Sequence, residues 1–563
     1  MPLLKLRWKP IKRLMSGLSG LALSWSMSWM LPLLLALPLT LVSLPGLALM
    51  NSAGENGIDA YRLQDAPYSL TGRKIAIGQV EIGRPALFGL DKAAVNNRAL
   101  HIGRLFTGES VATANEGVDD HAARVASIMV SRDKTVRGVA PDAILYSAGV
   151  GSEQRSGQTQ ECLASQTIAL QNGGDVRAIN FSFGESLNRD PRPDAMLDGN
   201  ALLTQCVDWS ARVHNVLYAI SGNQGRGGFP IPTDTFNGMT IANSMPIDGK
   251  FTKVDFFSLG STPTTVIGRD PATERNVGDR RSVVLVAPGR AITTLAPDGT
   301  VTAPDTGGTS FASPHVTATL ALLQEFGDTS IREALEDKSI QHWGLGARRQ
   351  EVMKAVLMNS ADKVQDRGDG LRLGMSRTLL DLSNKSWLES DAYADPEIPL
   401  DAQMGTGHLN AYRAYQQFSP GEWSDEQPVP AIAWDFNQVG SAEDTPKYRD
   451  YLFEQPLQQG SAIAATLVWN RRVELTDRNG NEAFDSGETF EDKGLNNLNL
   501  YLMPADASRT SKSLTASISE VDSVEHIFYP IPATGRYKLR VVYGDRVNEP
   551  TQDYALAWWA KPS

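Results

Sequence analysis

Gly307-Gly308-Thr309-Ser310-Phe311-Ala312-Ser313-Pro314-His315 is the segment most clearly equipped for chemistry. Small residues lead directly into the apolar, helix-spaced run 316–323, which places Ser310 at the N-terminus of a helix. Free N–H groups and the helix dipole favour negative charge there. Acyl transfer needs such a place, because the attacked carbonyl becomes an oxyanion. Serine is also an ordinary helix cap, so the segment taken alone does not decide. A second candidate is His121, which follows Asp119-Asp120 at the start of another helical stretch and could carry a proton near neutral pH. A third is the loop 477–488, where Asp477, Asn479, Asn481, Asp485 and Glu488 have the spacing of oxygen ligands in a calcium loop and Ala483 could add its carbonyl. Glu482 stands where such loops usually have glycine, and strands rather than helices flank it; a solvated acidic hairpin is the alternative.

The elements that must position these residues divide the chain in two. Between residues 71 and 418, short apolar or β-branched runs at 74–80, 143–150, 178–183, 215–220, 239–242 and 283–286 are separated by helix-length stretches. That pattern predicts an α/β fold with a doubly wound, mostly parallel sheet covered on both faces. Residues 325–400 fit it poorly and read as a polar surface insertion with its own helix around 350–359. Beyond the loop 419–430, alternating strands at 433–439, 462–469, 498–503, 526–531, 537–542 and 554–559 predict an all-β sandwich or jelly roll. The expected organisation is an N-terminal targeting segment (1–48), an α/β domain (61–418) and a β-sandwich domain (431–563).

Length suits two or three domains, and 41% apolar with 21% charged residues is ordinary globular composition. Lys5, Arg7, Lys9, Lys12 and Arg13 precede a largely apolar stretch, as in a secretory signal, and Gly46-Leu47-Ala48 offers a cleavage site. The stretch is also long enough to remain as a membrane anchor. Removing residues 1–48 takes away five positive charges and no negative ones, moving the formal net charge from -11 to -16. That acidity argues against a nucleic-acid partner. An exported chain can hold a disulfide, but the spacing of Cys162 and Cys206 does not show that they meet.

Several motifs, in order, resemble those of the subtilisin-like serine peptidases. GTSFASPH at 308–315 resembles the family's GTSxASPH nucleophile motif, which implies Ser310 as nucleophile. Ser221-Gly222-Asn223-Gln224-Gly225 resembles its GN-x-G segment, implying that the Asn223 amide completes the oxyanion hole. Asn180-Phe181-Ser182-Phe183-Gly184 resembles the S-x-G strand end, whose backbone pairs with substrate; Ser182, Phe183, Gly184, Ser221 and Gly222 are the implied substrate-binding residues. The segments 286–289 (VAPG), 255–260 (DFFSLG) and 138–146 (GVAPDAILY) also match. His121-Ala122-Ala123-Arg124 takes the place of the family's HGTH, with Arg124 for the second histidine. No aspartate stands at the D-[ST]-G position. An ungapped count from Thr71-Gly72 puts Glu81 there and Gly83 on the motif glycine, with Gln79 on the same strand face as the alternative. The resemblance implies a secreted or extracytoplasmic endopeptidase with a Ser310-His121-Glu81 triad acting on peptide or protein substrates. An inactive scaffold that binds peptide or a cell-surface polymer is the competing expectation. The strand at 495–502 further resembles one from the β-domain that follows the catalytic unit in some members.

Overall fold

The computed structural model describes residues 50–151, 157–223, 229–256, 276–303, 307–339 and 341–563. The expected targeting segment, Gln224 and Gly225 of the GN-x-G segment, and 257–260 of the DFFSLG segment lie outside the described residues. Among the described residues, no helix is long and apolar enough to cross a membrane.

Nine strands form the central sheet: β1 (Ala76–Glu81), β2 (Ile102–Thr107), β3 (Ser110–Val111), β4 (Ile144–Gly149), β5 (Val176–Phe181), β6 (Leu217–Ser221), β7 (Met239–Ile247), β8 (Lys250–Phe256) and β9 (Val283–Pro288). The order is β3-β2-β4-β1-β5-β6-β7-β8, with β9 also on β7, and only the β2–β3 and β7–β8 pairs are antiparallel. The doubly wound, mostly parallel architecture is therefore present. β1, β5, β6 and β9 are buried along their whole length, as strands covered on both faces must be. Alternation of side chains assigns Ile77 and Ala178 to the core on one face and Val80, Ile179 and Phe181 to the other.

Helices α1 (Asp120–Val130), α4 (Thr309–Glu336), α5 (Gln350–Asn359) and α6 (Ala411–Phe418) contribute to the first core. Helices α2 (Gln158–Ala169) and α3 (Leu202–Val213) contribute to the second and are joined by the disulfide Cys162–Cys206, whose Cα atoms lie 5.8 Å apart. A short hairpin, β10 (Thr294–Leu295) with β11 (Val301–Thr302), lies before the Ser310 segment.

The C-terminal part is a sandwich of two four-stranded antiparallel sheets. One has the order β12 (Ile432–Gly440), β21 (Thr551–Trp559), β14 (Ala462–Trp469), β19 (Val524–Pro530). The other is β13 (Tyr448–Leu452), β20 (Tyr537–Tyr543), β17 (Leu498–Pro504), β18 (Thr515–Ser517). A separate hairpin pairs β15 (Arg472–Thr476) with β16 (Thr489–Gly494). The sandwich has its own core, but Trp434, Val468, Ala555 and Ala557 join the core beneath α4 and α5. Arg471 is 1% exposed, pairs with Asp208 at 2.6 Å and donates to the Gly199 carbonyl. Removing one partner of such a buried pair costs about 3–5 kcal/mol, so the sandwich is docked rather than tethered.

One expectation fails here. Within the expected surface insertion, 325–400, the helix α5 does not lie at the surface: every one of its residues is buried, whereas 331–339 and 381–397 are largely exposed. Its polar side chains meet partners from distant parts of the chain, with Gln350 and Glu351 bonded to Asn470 and Asn359 accepting from Thr466.

Candidate active site

The implied catalytic residues lie at the carboxyl ends of adjacent parallel strands, where open α/β sheets bind ligands. Glu81 ends β1, Ser182 follows β5, and Ser221, Gly222 and Asn223 stand at or just beyond the end of β6.

His121 is in the first turn of α1. Asp119 caps that helix by accepting from the Ala122 N–H at 2.8 Å. A Cβ on Gly83 would come within 2.3 Å of the Asp119 Cβ and 2.8 Å of the Gly117 carbonyl, so a glycine is what lets the cap close onto the end of β1. The result brings Nδ1 of His121 to 3.4 Å from Oε2 of Glu81. Gln79 points into the same region, but its amide donates to the Ala122 carbonyl at 3.0 Å and anchors the helix instead. Glu81 is 1% exposed, and its Oε1 has no hydrogen-bond partner among the described residues. Burial works against a charged His121, yet the Glu81 carboxylate and Asp119 outweigh it and raise the imidazole above its ordinary 6.5, with Arg124 opposing. Arg124 is itself paired with Asp120 at 2.7 Å.

Ser310 is the second residue of α4, after Gly308. Pro314 lies four residues further on and has no N–H to give the Ser310 carbonyl. Ser182 fills that vacancy: its hydroxyl donates to the Ser310 carbonyl at 2.8 Å, while the Ser310 hydroxyl donates to the Ser182 carbonyl at 3.2 Å. Asn180 in turn donates to the Ser182 hydroxyl at 2.9 Å. Thr309 bonds the Gly222 carbonyl, tying the end of β6 to the same turn. Asn223 is 5% exposed with its Nδ2 unpartnered among the described residues, as an oxyanion donor without its oxyanion would be.

The implied substrate strand is shaped by a second close approach. A Cβ on Gly184 would meet the Phe229 carbonyl at 2.5 Å and the Ile231 carbonyl at 2.9 Å. Phe183 packs on Phe181 with ring centroids 5.0 Å apart. One feature was invisible in the motifs: the Phe311 ring lies 5.7 Å from the His121 ring, covering part of the imidazole. Its adjacency to Ser310 was the only sequence signal for it.

The expected metal-binding residues lie far along the chain, in the β15–β16 hairpin. Asn479 and Asn481 both donate to Oδ2 of Asp485, at 2.7 and 2.8 Å. Asp477 accepts from the backbone of Asn479, Gly480 and Glu482, and Glu488 from Arg478 and Asp485. Glu482 adopts φ 61°, so the chain takes the left-handed turn there without the usual glycine. Ala483 donates its N–H to the Asn481 side chain. Among the described residues no three His, Cys, Asp or Glu side chains are gathered as a metal site.

A serine at a helix N-terminus, a histidine and a buried carboxylate at one edge of a parallel sheet are the residue types from which a serine-hydrolase triad is built. Residues 106–376 match the Peptidase_S8 model, described as the subtilase family. Subtilisin DY of Bacillus licheniformis is 30% identical over 219 residues, 38% of this chain and 66% of that protein. Thermitase of Thermoactinomyces vulgaris is 25% identical over 42% of this chain and 72% of its own length. The minor extracellular protease Vpr of Bacillus subtilis (strain 168) is 34% identical over 20% of this chain and 12% of its own. The alignment thus spans just under two thirds of subtilisin DY. Over residues 106–376, just under half of this chain, the match is to the subtilase family.

Proposed function

We propose that this chain is an exported serine endopeptidase that cleaves peptide bonds through an acyl-enzyme. The observation that carries the reading is the 3.4 Å approach of His121 to the buried Glu81, at the same sheet edge as Ser310. His121 takes the Ser310 proton as the hydroxyl attacks the scissile carbonyl, and returns it to the leaving amine. Glu81 holds the imidazole tautomer and offsets its positive charge. The Ser310 backbone N–H and the Asn223 amide receive the oxyanion. Ser182, Phe183 and Gly184 pair with the substrate as an added strand beside Ser221 and Gly222. Hydrolysis of a quenched-fluorescent peptide tests this: Ser310→Ala should lose roughly 10⁶ in kcat. Equal rates in parent and variant would sink it.

The domain boundaries 61–418 and 431–563, and export directed by residues 1–48, belong to the same proposal. So does calcium. Asp477, Asn479, Asn481, Asp485, Glu488 and the Ala483 carbonyl would hold the ion, with the side chains of Asn479 and Asn481 already converging on Asp485. Turning either amide over would present its oxygen to a cation. Bound there, calcium would supply positive charge that braces the hairpin. Phe484, fully buried, carries the bracing inward by bonding Gln166 of α2 through both its N–H and its carbonyl. Excess calcium should raise the Tm of the parent but not of Asp477→Ala/Glu488→Ala. An equal rise in both would remove the ion from this loop.

A binding scaffold without catalysis is the second reading. It is favoured by the Ser310 hydroxyl donating to the Ser182 carbonyl rather than to a base.

A further inference from the structure

A cleft of about 260 Å³ opens where the α/β part meets the sandwich, and Ser310, His121, Glu81 and Asn223 are not among its lining residues. It lies between the C-terminal end of α3, the start of α5, the β14–β15 turn and the start of β21. Arg212, Arg349 and Arg472 line it together with Glu351, Glu549 and Asp553. Three arginines and three carboxylates thus share one small wall. How each is neutralised decides what the cleft can take.

Arg472 is satisfied by Glu474 and Glu549. Asp553 accepts from Gln438 at 2.8 Å. Arg349 stacks on Phe436 and reaches Glu351 at 3.2 Å, leaving its Nε unpartnered. Arg212 makes no ion pair among the described residues. Its Nη2 donates to the Val473 carbonyl, its Nε has no partner, and burial and the neighbouring Arg472 disfavour its charge, with Glu474 opposing. Glu351 is 3% exposed; one oxygen accepts from Asn470, and the other, Oε2, has no partner. The cleft therefore presents one guanidinium without an ion pair, Arg212, and a second, Arg349, held through only one oxygen of Glu351, whose other oxygen lacks a donor. A multiply charged inorganic anion would satisfy the arginines and be repelled by Glu351. A ligand with one carboxylate and a nearby ammonium satisfies both, and the amides of Gln438, Asn548 and Gln552 on the same wall suit a peptide group between them.

We propose that this cleft is a binding site for a short zwitterionic peptide or amino acid, its carboxylate held by Arg212 and Arg349 and its ammonium by Glu351. The size fits: the space is below that of drug-sized pockets, which begin at roughly 300 Å³. The site is separate from the Ser310 region and does not depend on the proposed peptidase activity.

The probe is alanylalanine, titrated calorimetrically into the full chain carrying Ser310→Ala so that turnover cannot interfere. Saturable binding is expected, weakened roughly tenfold or more by Arg212→Gln and also by Glu351→Gln, since each removes a charged hydrogen-bond partner. Alanylalanine amide and N-acetyl-alanylalanine should each bind at least about tenfold more weakly than the free dipeptide. Thermal melting of each variant establishes that it is folded. Arg349→Gln supplies the second test of the carboxylate contact should Arg212→Gln not fold. Absence of saturable binding, equal binding of the amide, or inorganic phosphate binding as well as the dipeptide overturns the proposal. So does a folded Arg349→Gln or Glu351→Gln variant with parental affinity.

Discussion

The carboxyl edge of the central sheet and the β15–β16 hairpin both gather polar side chains, but they treat them differently. In the hairpin, both oxygens of Asp477 and of Glu488 accept backbone N–H groups, and Oδ2 of Asp485 accepts two amides. At the sheet edge, Glu81 Oε1, Gln79 Oε1, Asn180 Oδ1 and Asn223 Nδ2 are buried without partners among the described residues. A buried polar atom left unbonded costs about 1–3 kcal/mol. The edge thus holds polar atoms that an incoming ligand could satisfy, whereas in the hairpin a cation would have to replace bonds already made.

Asn223→Ala breaks that contrast most strongly, because it removes one of the unpartnered atoms. The expected loss is about 10²–10³ in kcat with little change in KM, measured by steady-state peptide hydrolysis. An unchanged kcat would mean that the free Nδ2 has no role in the oxyanion hole.

Lys363 sharpens the comparison from another side, being unsatisfied yet remote from the edge. It is fully buried, its Nζ has no hydrogen-bond partner among the described residues, and it sits 5.7 and 5.4 Å from the Trp387 and Phe528 ring centroids. Burial, with Arg413 adding to it, pushes its amine down to about 7 from 10.5. Between those values the unfolded chain binds the extra proton, so this group makes stability rise with pH from about 7 to 10.5. Lys363→Met should stabilise at pH 7 by roughly 2–4 kcal/mol, the gain shrinking towards pH 10. Denaturant melts at both values check it, and a gain independent of pH would assign the effect to packing.

Much of this was legible in the sequence. The order of motifs led to the sheet edge, and the ungapped count from Gly72 led to Glu81 because no insertion interrupts β1. The disulfide was not legible, since spacing says nothing about how α2 and α3 are brought together. The helix α5 was misread for a physical reason. Gln350, Glu351, Lys354 and Asn359 look like a solvated face, but their partners, Asn470, the Phe236 carbonyl and Thr466, come from distant parts of the chain. Docking of the sandwich, together with the loop at Phe236, makes that polar surface interior. The Phe311–His121 contact and the approach of Gly83 to Asp119 likewise depend on the meeting of α4, α1 and β1, which no local pattern encodes, although the Asp119 cap itself is local.

The central claim is that Glu81, not Gln79, serves His121, and paired variants test it most directly. Glu81→Gln should lose about 10⁴ in kcat near neutral pH. The acid limb of its kcat/KM profile should also move to lower pH, because the carboxylate that holds the imidazole above 6.5 is gone. Gln79→Ala should lose far less, since it removes only a bond to the Ala122 carbonyl. A mild Glu81→Gln alongside a crippled Gln79→Ala would contradict the account.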